Sequence, residues 1–262
     1  MKTRLLVSIV AMTFATSCKK AGPNTSTSST ESKIVPHPTA SELPQESSRE
    51  QAENARKQDR ENKRKLNEHV ASANRSFQTK NIPAALEEIG KVLEIDPHHA
   101  PALNLRGSCH VELRDFEQAL EDFTKASEKA PHNAFFQFNK AEVLFVTKRW
   151  DEASTAFAHA KERLGPESQT ISELIDFKLM LCEAGRGNRE EFLRLAEINQ
   201  KEPDSPLAVY TLAARSFFLS ENEAAQLALI AASHSIQGEK IRAPWHDSLT
   251  EFGYATSFEI NE

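Results

Sequence analysis

The chain has 262 residues, 39% hydrophobic and 27% charged, with a formal net charge of −6, 8 glycines and 3 cysteines. Eight glycines is roughly 3% of the chain against an average usage of ~7%, which argues against sheet-rich folds and phosphate-cradling loops that use glycine for turns and close backbone approach. The acidic balance offers no general attraction to nucleic acid, and the cysteines are too few for a dense disulfide framework.

Residues 1–18 read MKTRLLVSIVAMTFATSC. Lys2 and Arg4 make a basic start, Leu5 to Ala15 an apolar run, and Ala15-Thr16-Ser17 a small-residue stretch before Cys18. This order predicts a secretory signal over 1–17, because the run is far shorter than the ~20 apolar residues of a membrane-spanning helix. A cysteine directly after small residues resembles the lipobox of bacterial lipoproteins. Ala15 departs from the leucine commonest at its place, and Thr16 from the usual alanine or serine. The resemblance implies a lipid such as palmitate on Cys18 and attachment to a membrane of the bacterial cell envelope. Lys19-Lys20 in place of an aspartate implies the outer membrane, on its periplasmic side. The alternative is an ordinary signal peptide cut near a cysteine.

From Ala21 to Glu50, 15 of 30 residues are Ser, Thr or Pro and none is aromatic, so residues 18–50 are expected to form a disordered tether. From Gln51 the composition changes to QAENARKQDRENKRKLNEH, free of Gly and Pro and dense in opposite charges. Pairs such as Glu53 and Lys57 at i,i+4 support a charged helical extension over 51–65, solvated on all sides up to Leu66.

An internal period follows. KNIPAALEEIGKVLEIDP from Lys80, RDFEQALEDFTKASEKAP from Arg114 and KRWDEASTAFAHAKERLG from Lys148 align at a spacing of 34 residues. Ala85, Ala119 and Ala153 coincide, as do Ile89, Phe123 and Phe157, then Val92, Ala126 and Ala160; Ala73, Gly107 and Ala141 stand twelve residues before the first set. Pro97 and Pro131 close two units and stop a helix, lacking an N–H and disfavouring helix in the preceding residue. Pro83 falls where a second helix starts and a missing N–H is tolerated.

This pattern resembles the tetratricopeptide repeat, a helix–turn–helix unit with small residues at its eighth, twentieth and twenty-seventh places. The first helices depart from it: His69, Ser76, Leu103 and His110 stand where large aromatics are usual. Beyond Gly165 the pattern weakens into Ser172–Gly185, Arg189–Gln200 and Pro206–Ile236, the last with Ala213, Ala225 and Ala232 at the small places. The expected fold is all-α, a right-handed α-solenoid of about five helix pairs. Three clear units span 66–165 and degenerate ones span 166–236. Residues 237–262 abandon helical period and are expected either to cap the final helix pair or to be ordered by a partner.

The resemblance implies a concave groove lined by the first helices, at the second, fifth, ninth, twelfth and thirteenth places. Those are Asn67, Val70, Asn74, Phe77 and Gln78, then Pro101, Asn104, Ser108, Val111 and Glu112, then Phe135, Phe138, Glu142, Phe145 and Val146. Of these, Asn67, Asn74, Asn104, Ser108, Phe135, Phe138, Glu142 and Phe145 are the candidate partner-binding residues. The asparagines suit the backbone of an extended peptide, and the phenylalanine stripe suits an apolar side chain or, equally, the packing of neighbouring helices. Val70 and Phe135 occupy two basic positions of the carboxylate clamp found in chaperone-binding relatives, so capture of a terminal carboxylate is not expected.

Catalytic and metal motifs are missing: no HExxH, no paired cysteines at zinc spacing, no glycine-rich phosphate loop and no G-x-S-x-G. No metal, cofactor or catalytic residue is expected. Cys109 and Cys182 fall at similar places two units apart, while helix axes pack ~8–10 Å apart and a disulfide needs Cα atoms within ~7 Å, so both are expected as free, buried thiols. Together these readings describe a lipid-anchored scaffold or adaptor that binds a protein or peptide partner. An assembly factor for a pilus, secretion or outer-membrane complex is the alternative, and an enzyme the remotest.

Overall fold

The computed structural model describes residues 46–255. The signal segment, Cys18, the linker as far as residue 45 and residues 256–262 lie outside the described residues. Among the described residues the chain is eleven α-helices with one short 3-10 turn and no strand. Helix α1 is Glu46–Gln78, α2 Ile82–Ile95, α3 Ala100–Glu112, α4 Phe116–Lys129, α5 Ala134–Val146 and α6 Trp150–Lys161. A 3-10 turn, Pro166–Ser168, precedes α7 Gln169–Gly185, α8 Arg189–Asn199, α9 Pro206–Phe218, α10 Asn222–Ser235 and α11 Glu239–Phe252.

The first ten helices pack as five antiparallel pairs, α1 with α2 through α9 with α10, and each second helix also meets the next first helix. This is an α-solenoid of stacked helix pairs, a core built from neighbour contacts. One turn is used in all five pairs. The N–H groups of Asn81, Asp115, Arg149, Asn188 and Glu221 donate to the carbonyls of Ser76, His110, Leu144, Glu183 and Ser216 at 2.8–2.9 Å. The residue before each donor is left-handed: Lys80 (φ 59°), Arg114 (φ 62°), Lys148 (φ 60°), Gly187 (φ 76°) and Ser220 (φ 64°). The turn satisfies carbonyls that the helix end leaves open. Asn81, Asp115 and Asn188 then cap the second helix by accepting from Ala84, Gln118 and Glu191 N–H.

Inside each pair the small places allow close approach. Ala85, Ala119 and Ala153 are fully buried, and so are Ile89, Phe123 and Phe157 one helical turn on. A Cβ on Gly107 would stand 2.8 Å from the Phe123 ring, which is why this unit takes glycine where its neighbours take alanine. Pairs one to three keep the 34-residue register; the 3-10 turn before α7 lengthens the next interval. The fourth pair inverts the size pattern, with Phe192 at the twentieth place and Ala196 at the twenty-fourth, both fully buried. Cys109 and Cys182 are free and buried, and burial pushes both thiols up to about 12.

Two boundaries differ from the sequence expectation. The charged extension and the first packed helix are one 33-residue helix that begins at Glu46, inside the stretch assigned to the tether. Residues 50–60 are exposed, and ion pairs one turn apart lie along the helix, Lys57–Glu53 at 3.0 Å and Arg64–Glu68 at 2.9 Å. The larger correction is at the other end. Residues 239–252 are a helix, because Ile241, Trp245, Leu249 and Phe252 recur at helical spacing. Pro244 inside the helix and the polar residues around it hid that period.

Gly90 gives a simple stability test. It lies in the interior of α2, exposed, with nothing within 4 Å of where its Cβ would be. Gly90→Ala is expected to raise unfolding free energy by about 1 kcal/mol, read in a urea melt.

Candidate functional site

The first helices α1, α3, α5, α7 and α9 form the face on which the repeat is expected to hold a partner. Helix α11 packs against α9, α7 and α5 on that face, crossing units three to five. It enters from Gly238 (φ 97°) and ends at Gly253 (φ 104°), both in a backbone region that favours glycine. The Trp245 indole stacks on Tyr210 at 6.1 Å between centroids with the planes 18° apart, and tilts against Phe177 at 5.6 Å. Phe252 meets Phe145 at 6.4 Å and Trp150 at 5.2 Å. Gly185 has no side chain where Trp150 lies against α7, so the indole fits beside that helix. Just past the helix, Tyr254 stacks on Phe217 at 5.7 Å. Phe177 and Tyr210 hold the fifth place of units four and five, Phe145 the twelfth of unit three and Phe217 the twelfth of unit five. These are groove places.

A buried charge cluster lies under the same helix. Lys178 on α7 is 2% exposed; its Nζ donates to Glu142 Oε2 on α5 at 3.0 Å and to Glu251 Oε2 on α11 at 3.4 Å. The ammonium also lies 4.5 Å over the Phe145 ring. Two carboxylates share one cation. Glu142 Oε1, at 2.9 Å from Nζ, is an ion-pair contact without hydrogen-bond alignment, and Glu251 Oε1 has no hydrogen-bond partner. A buried acceptor left unpaired costs about 1–3 kcal/mol, so the cluster holds α11 in place imperfectly.

Burial raises Glu142 above the carboxylate range against the pull of Lys178. Burial, with repulsion from Glu142 and Asp247, pushes Glu251 up to about 7, again against Lys178. Lys178 is desolvated too, but the two carboxylates outweigh that and raise it. A carboxylate raised in the fold binds its proton more tightly there than in the unfolded chain. It therefore adds stability as pH falls through about 7 toward the ordinary carboxylate range. Glu251→Gln is expected to be at least as stable as the parent at pH 8 and to lose that advantage by pH 5. Paired urea melts across this range read the difference, which reports the titration of the Glu142–Lys178–Glu251 cluster.

The structure spreads the sequence candidates over three settings. Asn67 is exposed on α1. Asn74 is half-buried and donates to Val70 O at 2.9 Å; Asn104, also half-buried, accepts from Asn139 Nδ2 at 2.9 Å. Phe135 is half-buried on α5. The other four are corrected. Ser108 is 1% exposed and donates to Asn104 O at 3.1 Å within its own helix. Phe138 is 2% exposed and packs edge-on to Phe157 of its own unit at 5.8 Å. Phe145 is fully buried among Trp150, Phe157 and Phe252, and Glu142 is held by Lys178. Apolar rings beside close-packed helices are more stable in the core than in water, and α11 covers what remains. Lys178, Phe177, Tyr210, Trp245 and Glu251 were not among the candidates. The signal was a lone lysine inside the apolar run SELIDFKLMLCEAG, together with the groove places of units four and five.

Among the described residues no three His, Cys, Asp or Glu side chains converge as a metal site, and no helix is long and apolar enough to cross a membrane. A family model described as tetratricopeptide repeat matches residues 110–169. The chain is 27% identical over 70 residues to the Hsp70/Hsp90 co-chaperone CNS1 of Saccharomyces cerevisiae, covering 27% of this chain and 18% of that protein. It is 28% identical over 107 residues to the peptidyl-prolyl cis-trans isomerase FKBP4 of Bos taurus, covering 39% and 23%. The chain thus spans less than a quarter of either relative's length. Among solved structures, Pseudomonas aeruginosa pilF is similar with a TM-score of 0.54 at 17% identity, over 74% of this chain and 90% of that one. MamA is similar with a TM-score of 0.51 at 14% identity, over 76% and 97%; these two likenesses show the fold. The match to the tetratricopeptide repeat over residues 110–169 agrees with the 34-residue register and with the stacked helix pairs on either side of it.

Proposed function

We propose that this chain is a protein-binding adaptor, anchored through a lipid on Cys18 in the bacterial cell envelope, that holds an extended segment of a partner along the first helices of units one to three. The observation that carries this reading is Asn104. Its amide is half-buried on α3, on the side of the repeat face that precedes the α11 contacts, with Asn74 on α1, the first helix of the preceding unit. Side-chain amides placed this way pair with the N–H and C=O of an extended chain. Val70 and Phe135 supply no positive charge, so the partner is held along its backbone rather than by a terminal carboxylate. In this reading the chain performs no chemistry of its own.

A photo-crosslinking residue at Asn104 in the native cell, followed by mass spectrometry, tests this. The partner it identifies is expected to bind the purified chain, and Asn104→Trp to weaken that binding by about tenfold, ~1.4 kcal/mol. No specific crosslink at either Asn104 or Asn74 overturns the reading. Cys18→Ser is expected to abolish fatty-acid labelling and release the chain from membranes; unchanged membrane association removes the anchor.

A further inference from the structure

Helix α11 has the character of a ligand held in cis. It belongs to none of the five helix pairs and packs mainly against the first helices α5, α7 and α9, touching the second helices through Phe252 on Trp150 and Arg242 on the Ser233 carbonyl. Its anchors Trp245, Leu249 and Phe252 follow the i, i+4, i+7 spacing by which an amphipathic helix fills a groove. Trp245 and Leu249 are 1% and 0% exposed; Trp245 lies against Phe177 and Tyr210, and Phe252 against Phe145 and Trp150. The attachment, in contrast, is weakly specified. The linker residues Gln237 and Gly238 are exposed, the helix starts without a side-chain cap, and Pro244 removes an intrahelical donor. Its one buried charge, Glu251, shares Lys178 with Glu142 and leaves an oxygen unpaired.

We propose that the groove of units three to five is a helix-binding site, occupied in cis by α11 and open by exchange to a partner's amphipathic helix. That helix presents an aromatic residue, a leucine one turn later and a carboxylate for Lys178. This rests on the reading of the chain as a protein-binding adaptor and adds a second site, separate from Asn104. The partner's chemistry follows from the groove walls. Phe177 and Tyr210 accept a flat ring, and the buried ammonium of Lys178 accepts an acid and repels a basic helix.

The test uses the full chain with a protease-cleavable insert between Gln237 and Gly238, and a fluorescein-labelled peptide copying Gly238–Ala255. After cleavage the labelled peptide is expected to enter the groove saturably, whether or not the cut fragment has already left. Peptides carrying Trp245→Ala or Glu251→Lys are expected to bind at least about tenfold more weakly. The proposal is overturned if the cut chain keeps its fragment through gel filtration and takes up no peptide. It is overturned equally if the chain loses the fragment and, still folded by circular dichroism, ignores the peptide, or if loss of the fragment unfolds units three to five. A failed crosslink at Asn104 with peptide exchange intact removes the open-groove reading and leaves this site standing; the reverse result removes this site alone.

Discussion

Lys178→Met is expected to lower the unfolding free energy by about 3–5 kcal/mol, the usual cost of removing one partner from a buried ion pair. Methionine fills nearly the same volume, so the loss comes from charge: Glu142 and Glu251, each 3% exposed at the side chain, would share the interior with no cation between them. The carboxylates escape by taking protons, so the deficit is expected to be largest at pH 8 and to shrink toward pH 5. Urea melts at both values read it. Adding Glu142→Gln and Glu251→Gln to the same chain is expected to recover most of the loss, because a neutral cluster carries no uncompensated charge. A triple variant no more stable than Lys178→Met would mean that the lysine acts through packing.

Trp245→Ala has a comparable expected effect by a different route. The indole is 1% exposed and touches Phe177 and Tyr210, so truncation leaves a cavity lined by aromatic faces. A loss of about 3–5 kcal/mol is usual for such a deletion. Here it should fall on α11 first. Limited proteolysis is expected to cut the variant near Gln237 and Gly238 well before the parent, while α1 to α3, whose core groups Ala73, Phe77, Ile89, Val92 and Leu105, keep their resistance.

The repeat was legible because its residues are constrained by packing at short range. Ala85, Ala119 and Ala153 read as small places in sequence and are fully buried in the fold. The left-handed Lys80, Arg114 and Lys148 were not legible, since nothing in a lysine or arginine announces a positive φ. The groove was only half legible. Places carried over from a repeat tell which side chains face inward on their helix, not what lies over them. Phe145 and Glu142 face the expected side and are covered by a helix more than a hundred residues further along the chain. A pairing such as Lys178 with Glu251 leaves no local trace, because neither residue's neighbours depend on the other.

A stack of repeats in contact only with their neighbours can come apart one unit at a time. The α1 end is such a stack: one small core joins α1, α2 and α3, and two further ones join α3 and α4 to α5. Units three to five are not: one cluster runs from Phe138 through Phe177, Phe192 and Ala228 to Trp245 and Leu249, with α11 lashed across it. That lashing turns three separable steps into one cooperative transition. It also delays it, since α5 and α11 meet across a long stretch of chain whose closure entropy must be met first. Unravelling should begin at the α1 end and halt at α5, leaving a folded block in which loss of any member releases all of them.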